Sequence, residues 1–205
     1  MKKEIIVLQQ PILTFSGAER ATLGSRLTAP EARGVPSELM RLGTGLGLAS
    51  LYGLALGARA GGAALLQHAA FATAGLAMVG ALALPPLFVL LALVNAPVSP
   101  RAMLSAGARG IASAGFVLAG LAPSAALLAV TIESPQAAAF VARAGLMLAG
   151  AIGLYQLTIS VRALLVGAPL SVRAKCLAFL CAFCLFACVL ASRVWSVLPI
   201  LKGGA

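Results

Sequence analysis

Apolar runs of helical length follow one another from Leu42 to Leu198, separated by short segments that carry prolines, glycines and charged residues. A run of about 20 apolar residues is long enough for an α-helix to cross the hydrocarbon core of a bilayer. A water-soluble domain of 205 residues cannot bury so many runs in one core. The pattern therefore predicts an all-α fold, a polytopic transmembrane helical bundle of about five spans.

The amino-acid composition lies far outside the range of soluble globular domains. Hydrophobic residues make up 61% of the chain and charged residues 10%, whereas a soluble domain has about 25% charged and about 45–50% apolar residues. Aromatic residues are scarce, and glycine alone contributes 22 positions. This bias is typical of membrane helices that pack closely through small residues.

The ends of the apolar runs predict the boundaries of the spans and tails. The spans are 42–58, 67–94, 107–132, 138–161 and 175–198, the N-terminal tail is 1–41, and the C-terminal tail is 199–205. Within the first tail, Ser16 to Leu27 is either a short helix on the membrane surface or an irregular segment. The segment from Asn95 to Arg101 contains two prolines and is a predicted loop.

The second predicted span is longer than a bilayer requires and contains Pro85 and Pro86. A proline has no backbone N–H group, so a helix is expected to bend at this pair. The alternative is a break into a re-entrant hairpin or two short spans, and two short spans would reverse the orientation of everything downstream. Pro123 is the predicted kink of the third span.

The basic residues predict that the N-terminus is cytoplasmic and the C-terminus is on the far side, because loops rich in Lys and Arg stay inside. Eleven basic residues fall on the N-terminal side of the membrane and four on the other. The eleven are Lys2, Lys3, Arg20, Arg26, Arg33, Arg41, Arg101, Arg109, Arg162, Arg173 and Lys175, and the four are Arg59, Arg143, Arg193 and Lys202.

The net charge of +10 does not indicate a nucleic-acid partner, because no basic run is interleaved with aromatic residues. Catalysis is not indicated either. His68 is the single histidine, and Glu133 is the single carboxylate after the N-terminal tail. These residues cannot assemble a Ser-His-Asp triad, a zinc site or a carboxylate pair. The sequence therefore predicts no enzyme, no cofactor and no metal.

All four cysteines, Cys176, Cys181, Cys184 and Cys188, lie in the last predicted span. The last three share one helical face and could in principle hold a soft metal. Their thiols would then have to ionise in hydrocarbon, so a packing role is favoured. Gln156 is one of the few polar residues deep in a span, and we expect it to form a hydrogen bond across helices.

Two stripes of small residues predict helix-packing surfaces. Residues four apart share one helical face, and small side chains there let another backbone approach closely. The stripe of the first span is Gly45, Ala49, Gly53 and Gly57, and that of the fourth span is Gly145, Ala149 and Gly153. The interface that they form lies either inside the bundle or between protomers.

Arg143, Arg193 and Trp195 lie near the predicted outer ends of the last two spans. An arginine at the bilayer centre costs about 2.5–3.5 kcal/mol on insertion scales, so such residues call for a role. Contact with lipid headgroups is favoured over a solute pathway, because a long side chain near a helix end can extend to the interface. Tryptophan is enriched at the same level.

The segment Leu82–Leu93 (LALPPLFVLLAL), followed by the Ala119–Ser124 step (AGLAPS), resembles poorly characterised bacterial five-span proteins that look like distant relatives of the Yip family. The resemblance covers about residues 65–160. The acidic and aromatic motif typical of Yip proteins is absent, so no trafficking role is implied. What the resemblance implies is a protein of the bacterial cytoplasmic membrane that serves a larger envelope assembly.

The expected function is therefore a non-enzymatic membrane scaffold, anchor or accessory subunit of such an assembly, for example a secretion or injection apparatus. Its expected partners are membrane lipids and other membrane or envelope proteins, or further copies of the chain. The alternative is a small transporter or channel for a lipid or small solute, which would require several polar groups at mid-membrane.

Overall fold

The computed structural model describes residues 35–58 and 61–197, and every regular element within them is an α-helix. The five helices are α1 (Val35–Gly57), α2 (Gly62–Leu93), α3 (Pro100–Thr131), α4 (Pro135–Leu164) and α5 (Leu170–Val197). All five are long and apolar enough to cross a membrane. The expectation of an all-α, multi-pass membrane protein with five spans is thus confirmed. The predicted surface helix at 16–27 and the C-terminal tail at 199–205 lie outside the described residues.

The helices begin before the apolar runs from which the spans were predicted. Helix α1 begins at Val35 rather than at 42, so Glu38 and Arg41 belong to a helix and not to the tail. Helix α3 begins at Pro100 rather than at 107, and the last part of the predicted loop Asn95–Arg101 is therefore helical. The apolar runs mark the part of each helix that lies in the hydrocarbon core of the membrane, whereas the helices themselves extend beyond that core.

Serine–proline pairs explain two of these helix starts. The hydroxyl of Ser99 accepts a hydrogen bond from the Ala102 N–H at 3.2 Å, and that of Ser134 accepts one from the Ala137 N–H at 3.5 Å. The proline that follows each serine occupies the first helical position, where a backbone N–H would have no helical partner. Cap and proline together fix where α3 and α4 begin.

Helix α2 is continuous from Gly62 to Leu93 and contains Pro85 and Pro86 in its interior. The alternative in which this segment forms a re-entrant hairpin or two short spans is therefore wrong. Pro123 likewise lies within the continuous helix α3. At 32 residues, α2 is about 48 Å long, so it extends well beyond a hydrocarbon core of about 30 Å or crosses it at a tilt.

Helices α1 and α3 form the centre of the bundle, with α2 packed on α1 and α4 packed on α3. Helix α5 packs chiefly against α2 and touches α4 at few positions. One cluster of buried residues surrounds Tyr52, and a second surrounds Leu87 and Phe183. Large apolar side chains cover the outside of all five helices, as expected where lipid is the solvent, for example Leu51, Met78, Phe116, Phe140 and Leu185.

Candidate functional site

The crossing of α1 and α3 is a contact between backbones. A Cβ atom added to Gly45 would lie 2.6 Å from the Cα atom of Ala112, and one added to Gly115 would lie 2.9 Å from the Cα atom of Gly45. Ala49, one turn further along α1, is completely buried. At Gly45 and Gly115 only a residue without a side chain permits this approach, and at Ala49 a methyl group is accommodated.

The second half of the predicted α1 stripe contacts a different helix. A Cβ atom on Gly53 would lie 2.7 Å from the Cα atom of Ala69, and one on Gly57 would lie 2.8 Å from that of Leu65. Ala69 and Leu65 belong to α2. The stripe is therefore shared between two neighbours, with Gly45 facing α3 and with Gly53 and Gly57 facing α2.

The α4 stripe lies inside the bundle as well. Gly145 faces the ring of Tyr52 from α1, where an added Cβ atom would lie 2.8 Å from Cζ. The Tyr52 hydroxyl donates a hydrogen bond to the carbonyl of Ala142 at 3.2 Å, so ring and hydroxyl both contact α4. Ala149 is buried, and Gly153 faces Gly110 of α3. The structure thus places both stripes in contacts within one chain.

A polar contact between α1 and α3 was not anticipated from the sequence. The Ser105 hydroxyl donates a hydrogen bond to Oε1 of Glu38 at 3.1 Å, and Nη1 of Arg41 lies 3.7 Å from Oε2 of the same carboxylate. Ser105 is buried, and only 17% of the Glu38 side chain is exposed. The ion pair was recognisable from the sequence, because Glu38 and Arg41 are three residues apart and share a helical face. The hydrogen bond from Ser105 follows only from the packing of α3 against α1.

A cleft of about 530 Å³ lies among α2, α3, α4 and α5. Its walls are apolar side chains and glycines, including Leu84 of α2, Ile111 of α3, Met147 and Leu157 of α4, and Phe183 of α5. The space exists because α5 leans on α2 and leaves a gap beside α4. A pocket of this size is within the range of about 300–1,000 Å³ that holds small ligands.

The polar side chains of the cleft lie at one end. Arg143 of α4 and Ser192, Trp195 and Ser196 of α5 line the cleft there. The Ser192 hydroxyl donates to the Val189 carbonyl at 2.7 Å and the Ser196 hydroxyl to the Arg193 carbonyl at 2.8 Å. Arg143 and Trp195 are therefore the lining residues at this end whose side-chain N–H groups remain available as donors, and Arg143 carries the only charge among the lining residues.

The three predicted interfacial residues belong to this same end of the bundle. Trp195 packs on the buried cluster that contains Ala142 and Leu146, one turn or less from Arg143 in the sequence. Arg193 is exposed. Within the described part of the chain, Arg143 forms no ion pair. The structure thus places Arg143 and Trp195 in the lining of one cleft. The sequence had indicated only that both residues lie at a similar depth in the membrane.

Gln156 lies on the outside of α4, contrary to the expectation that it bonds across helices of the bundle. It is exposed, and it forms no side-chain hydrogen bond with any residue that the structure describes. Tyr155 beside it is 66% exposed, and Ile159, one turn on, is 42% exposed. The outer face of α4 therefore presents an unsatisfied amide among apolar side chains.

The cysteines and the histidine do not form a site together. Cys176 is buried, Cys184 is half-buried, and Cys181 and Cys188 are exposed on α5. Nδ1 of His68 donates a hydrogen bond to the Ala64 carbonyl of its own helix at 2.7 Å. Across residues 35–58 and 61–197, no three His, Cys, Asp or Glu side chains are placed to hold a metal ion.

The chain was compared with protein-family models, with curated proteins and with solved structures, and no match was found.

Proposed function

We propose that this protein is a non-enzymatic scaffold of the bacterial cytoplasmic membrane, an accessory subunit that binds a helix of another membrane protein on the outer face of α4. The observation that carries the proposal is the placement of Gln156. An amide that faces hydrocarbon without a partner is costly, since nothing there replaces its hydrogen bonds with water. A polar side chain of a neighbouring helix would supply them.

The depth of Gln156 supports this proposal. It follows the start of α4 by 21 residues, which is about 32 Å along an axis of about 45 Å. When a hydrocarbon core of about 30 Å is centred on the helix, the far boundary of the core lies about 37 Å from the helix start. The amide, at about 32 Å, therefore lies within the core. Tyr155 and Ile159 add large apolar contacts on the same exposed face.

The interior of the bundle favours a rigid framework over a transporter. Several helices approach each other backbone to backbone, for example at Gly45 with Ala112 and at Gly53 with Ala69. Within the described residues, the buried side chains that carry a hydroxyl are Ser105, Ser160 and Tyr52. A path for a hydrophilic solute would need more polar groups across the membrane. The alternative of a small-solute transporter is therefore the weaker proposal.

Site-specific photo-crosslinking in native membranes tests the proposed partner surface. We expect a photoreactive residue at position Tyr155 or Ile159 to capture one membrane protein of defined mass. The same residue at Leu51 of α1 or Met78 of α2, which are exposed on other helices, should capture little protein. The substitution Gln156→Leu should abolish the cross-link without lowering the thermal stability of the chain.

Three outcomes would count against the proposal. Equal labelling at all four positions would indicate random collisions, and an unchanged cross-link in Gln156→Leu would remove the role of the amide. A product with twice the mass of this chain would identify the partner as a second copy and contradict a subunit of a different kind.

A further inference from the structure

We infer that the cleft among α2, α3, α4 and α5 is a binding site for one anionic glycerophospholipid, with its phosphate on Arg143 and an acyl chain along α4. This inference is independent of the proposed partner surface, which lies on the outside of α4. It rests on the shape of the cleft, on the position of its charge and on its opening to the bilayer.

The cleft has the length and the chemistry of a hydrocarbon chain. Along α4 it extends from Arg143 to Leu157, a distance of about 21 Å. One leaflet of the hydrocarbon core is about 15 Å deep, so the cleft accommodates a chain that enters from one side. Met147 and Leu157 of α4 and Phe183 of α5 provide apolar walls.

A glycine provides room in the middle of the cleft. Gly150 lines the cleft, and a Cβ atom added to it would meet no atom within 4 Å. The open space beside Gly150 is therefore part of the cleft. A tight helix crossing, such as that at Gly45, leaves no such space. A leucine at this position would fill space that an acyl chain otherwise occupies.

The charged end of the cleft lies close to the boundary of the hydrocarbon core, within reach of lipid phosphates. Arg143 is eight residues into α4, whose length is 30 residues. A helix of about 45 Å that is centred on a hydrocarbon core of about 30 Å extends about 7 Å beyond the core at each end. The backbone of Arg143 therefore lies about 5 Å inside the boundary of the core. The long side chain reaches the phosphate layer from there.

The charge balance favours an anionic lipid. Arg143 and Arg193 both lie at this end of the bundle, with Glu133 as the one carboxylate nearby in the sequence. Guanidinium binds phosphate oxygens with two parallel hydrogen bonds, and a second cation adds attraction for a headgroup with net negative charge. Trp195 beside Arg143 is a typical neighbour of headgroups.

Lipid can reach the cleft from the bilayer because α4 and α5 touch each other at few positions. Among the described helices, this sparsely packed pair is the side from which we expect a lipid to enter. A phospholipid that diffuses within its leaflet would enter between α4 and α5. Its acyl chain would pass from the lipid-facing surface of the bundle to the apolar walls of the cleft.

The single tryptophan of the chain makes binding measurable, because Trp195 lines the cleft. The full chain in detergent micelles is titrated with phosphatidylglycerol whose acyl chains are brominated, and quenching of Trp195 fluorescence is recorded. We expect saturation at one lipid per chain. Phosphatidylcholine with the same acyl chains should bind about tenfold more weakly, and inorganic phosphate should compete poorly.

Two substitutions separate the headgroup from the acyl chain. Arg143→Gln should weaken phosphatidylglycerol binding about tenfold or more, because a charged hydrogen bond is lost. Gly150→Leu should remove saturable quenching by both lipids. The matched controls are Arg162→Gln, at the opposite end of α4, and Gly120→Leu, an exposed glycine of α3 with open space around it, and neither should change binding.

Thermal unfolding without added lipid verifies that each variant is folded. Quenching that never saturates, or that is the same in Arg143→Gln, Gly150→Leu and the wild type, would overturn the inference. Loss of binding in Gly150→Leu with no change in Arg143→Gln would overturn the assignment of the phosphate to Arg143. Full competition by inorganic phosphate would show a site for the free anion instead.

Discussion

Gly110 of α3 and Gly153 of α4 face each other reciprocally: a Cβ atom added to either would lie 3.0 Å from the carbonyl oxygen of the other. The two helices thus approach so closely at this crossing that a side chain on either glycine would meet the backbone of the other. In lipid, where no hydrophobic effect drives helices together, the dispersion contacts of such a crossing contribute directly to association.

The first prediction concerns this crossing. Gly153→Leu should lower the free energy of unfolding by about 1–3 kcal/mol, because the added side chain has no space between α3 and α4. Gly120→Leu is the control, since Gly120 is exposed on α3 and an added Cβ atom meets nothing within 4 Å. Equal stability of the two variants in a denaturant titration in detergent would show that the crossing is not tightly packed.

The second prediction compares three glycines of α1. A Cβ atom on Gly45 would lie 2.6 Å from the backbone of Ala112, whereas Gly43 and Gly47 have open space. Gly45→Ala should therefore lower the thermal midpoint. Gly43→Ala and Gly47→Ala should leave it unchanged or raise it, because alanine favours a helix over glycine by about 0.5–1 kcal/mol. The same sign for all three substitutions would contradict the described contact.

The third prediction concerns Tyr52 and Gly145. Tyr52→Phe removes the hydrogen bond to Ala142 and should cost about 0.5–1 kcal/mol. Gly145→Ala brings a methyl group against the tyrosine ring and hydroxyl, so it should cost more in the wild type than in Tyr52→Phe. Tyr155→Phe is the control, because Tyr155 is 66% exposed on the outside of α4. Additive effects in the double variant would show that the two residues do not interact.

The sequence predicted the helical class and the number of spans because each span is its own apolar run. It did not predict where the helices begin, since Pro36, Pro100 and Pro135 mark helix starts that lie before the apolar residues. Nor did it predict which helix each glycine faces. A spacing of four defines a face, but only the assembled bundle shows that Gly45 faces α3 and Gly53 faces α2.

The cleft was beyond sequence analysis for a physical reason. Its lining comes from four helices, and its space depends on the loose contact between α4 and α5, which no local pattern encodes. Arg143 and Trp195 were recognisable as interfacial residues, because charge and indole in an apolar run are unusual. The sequence does not show that both residues line one cleft, because this depends on how α5 packs against the other helices.

The fourth prediction concerns the cysteines of α5. Replacement of Cys181, Cys184 and Cys188 together by Ala should change the thermal midpoint little, because two of the three side chains are exposed. Cys176→Ala should cost more, since Cys176 is completely buried. Metal analysis of the purified chain accompanies the measurement. Stoichiometric metal that disappears in the triple variant would contradict the packing role.

The last prediction is the orientation of the bundle, which rests on the eleven basic residues assigned to the N-terminal side against four on the other. Ser134 precedes α4 and Ser171 follows it, so the two positions lie on opposite sides of one span of about 45 Å. In a cysteine-free chain in intact cells, Ser134→Cys should react with an impermeant maleimide. Ser171→Cys should react only after the membrane is permeabilised, since both side chains are exposed but only one faces outward. Reaction at Ser171→Cys alone would mean that the bundle is inverted, and reaction at both positions in intact cells would mean that α4 does not cross the membrane.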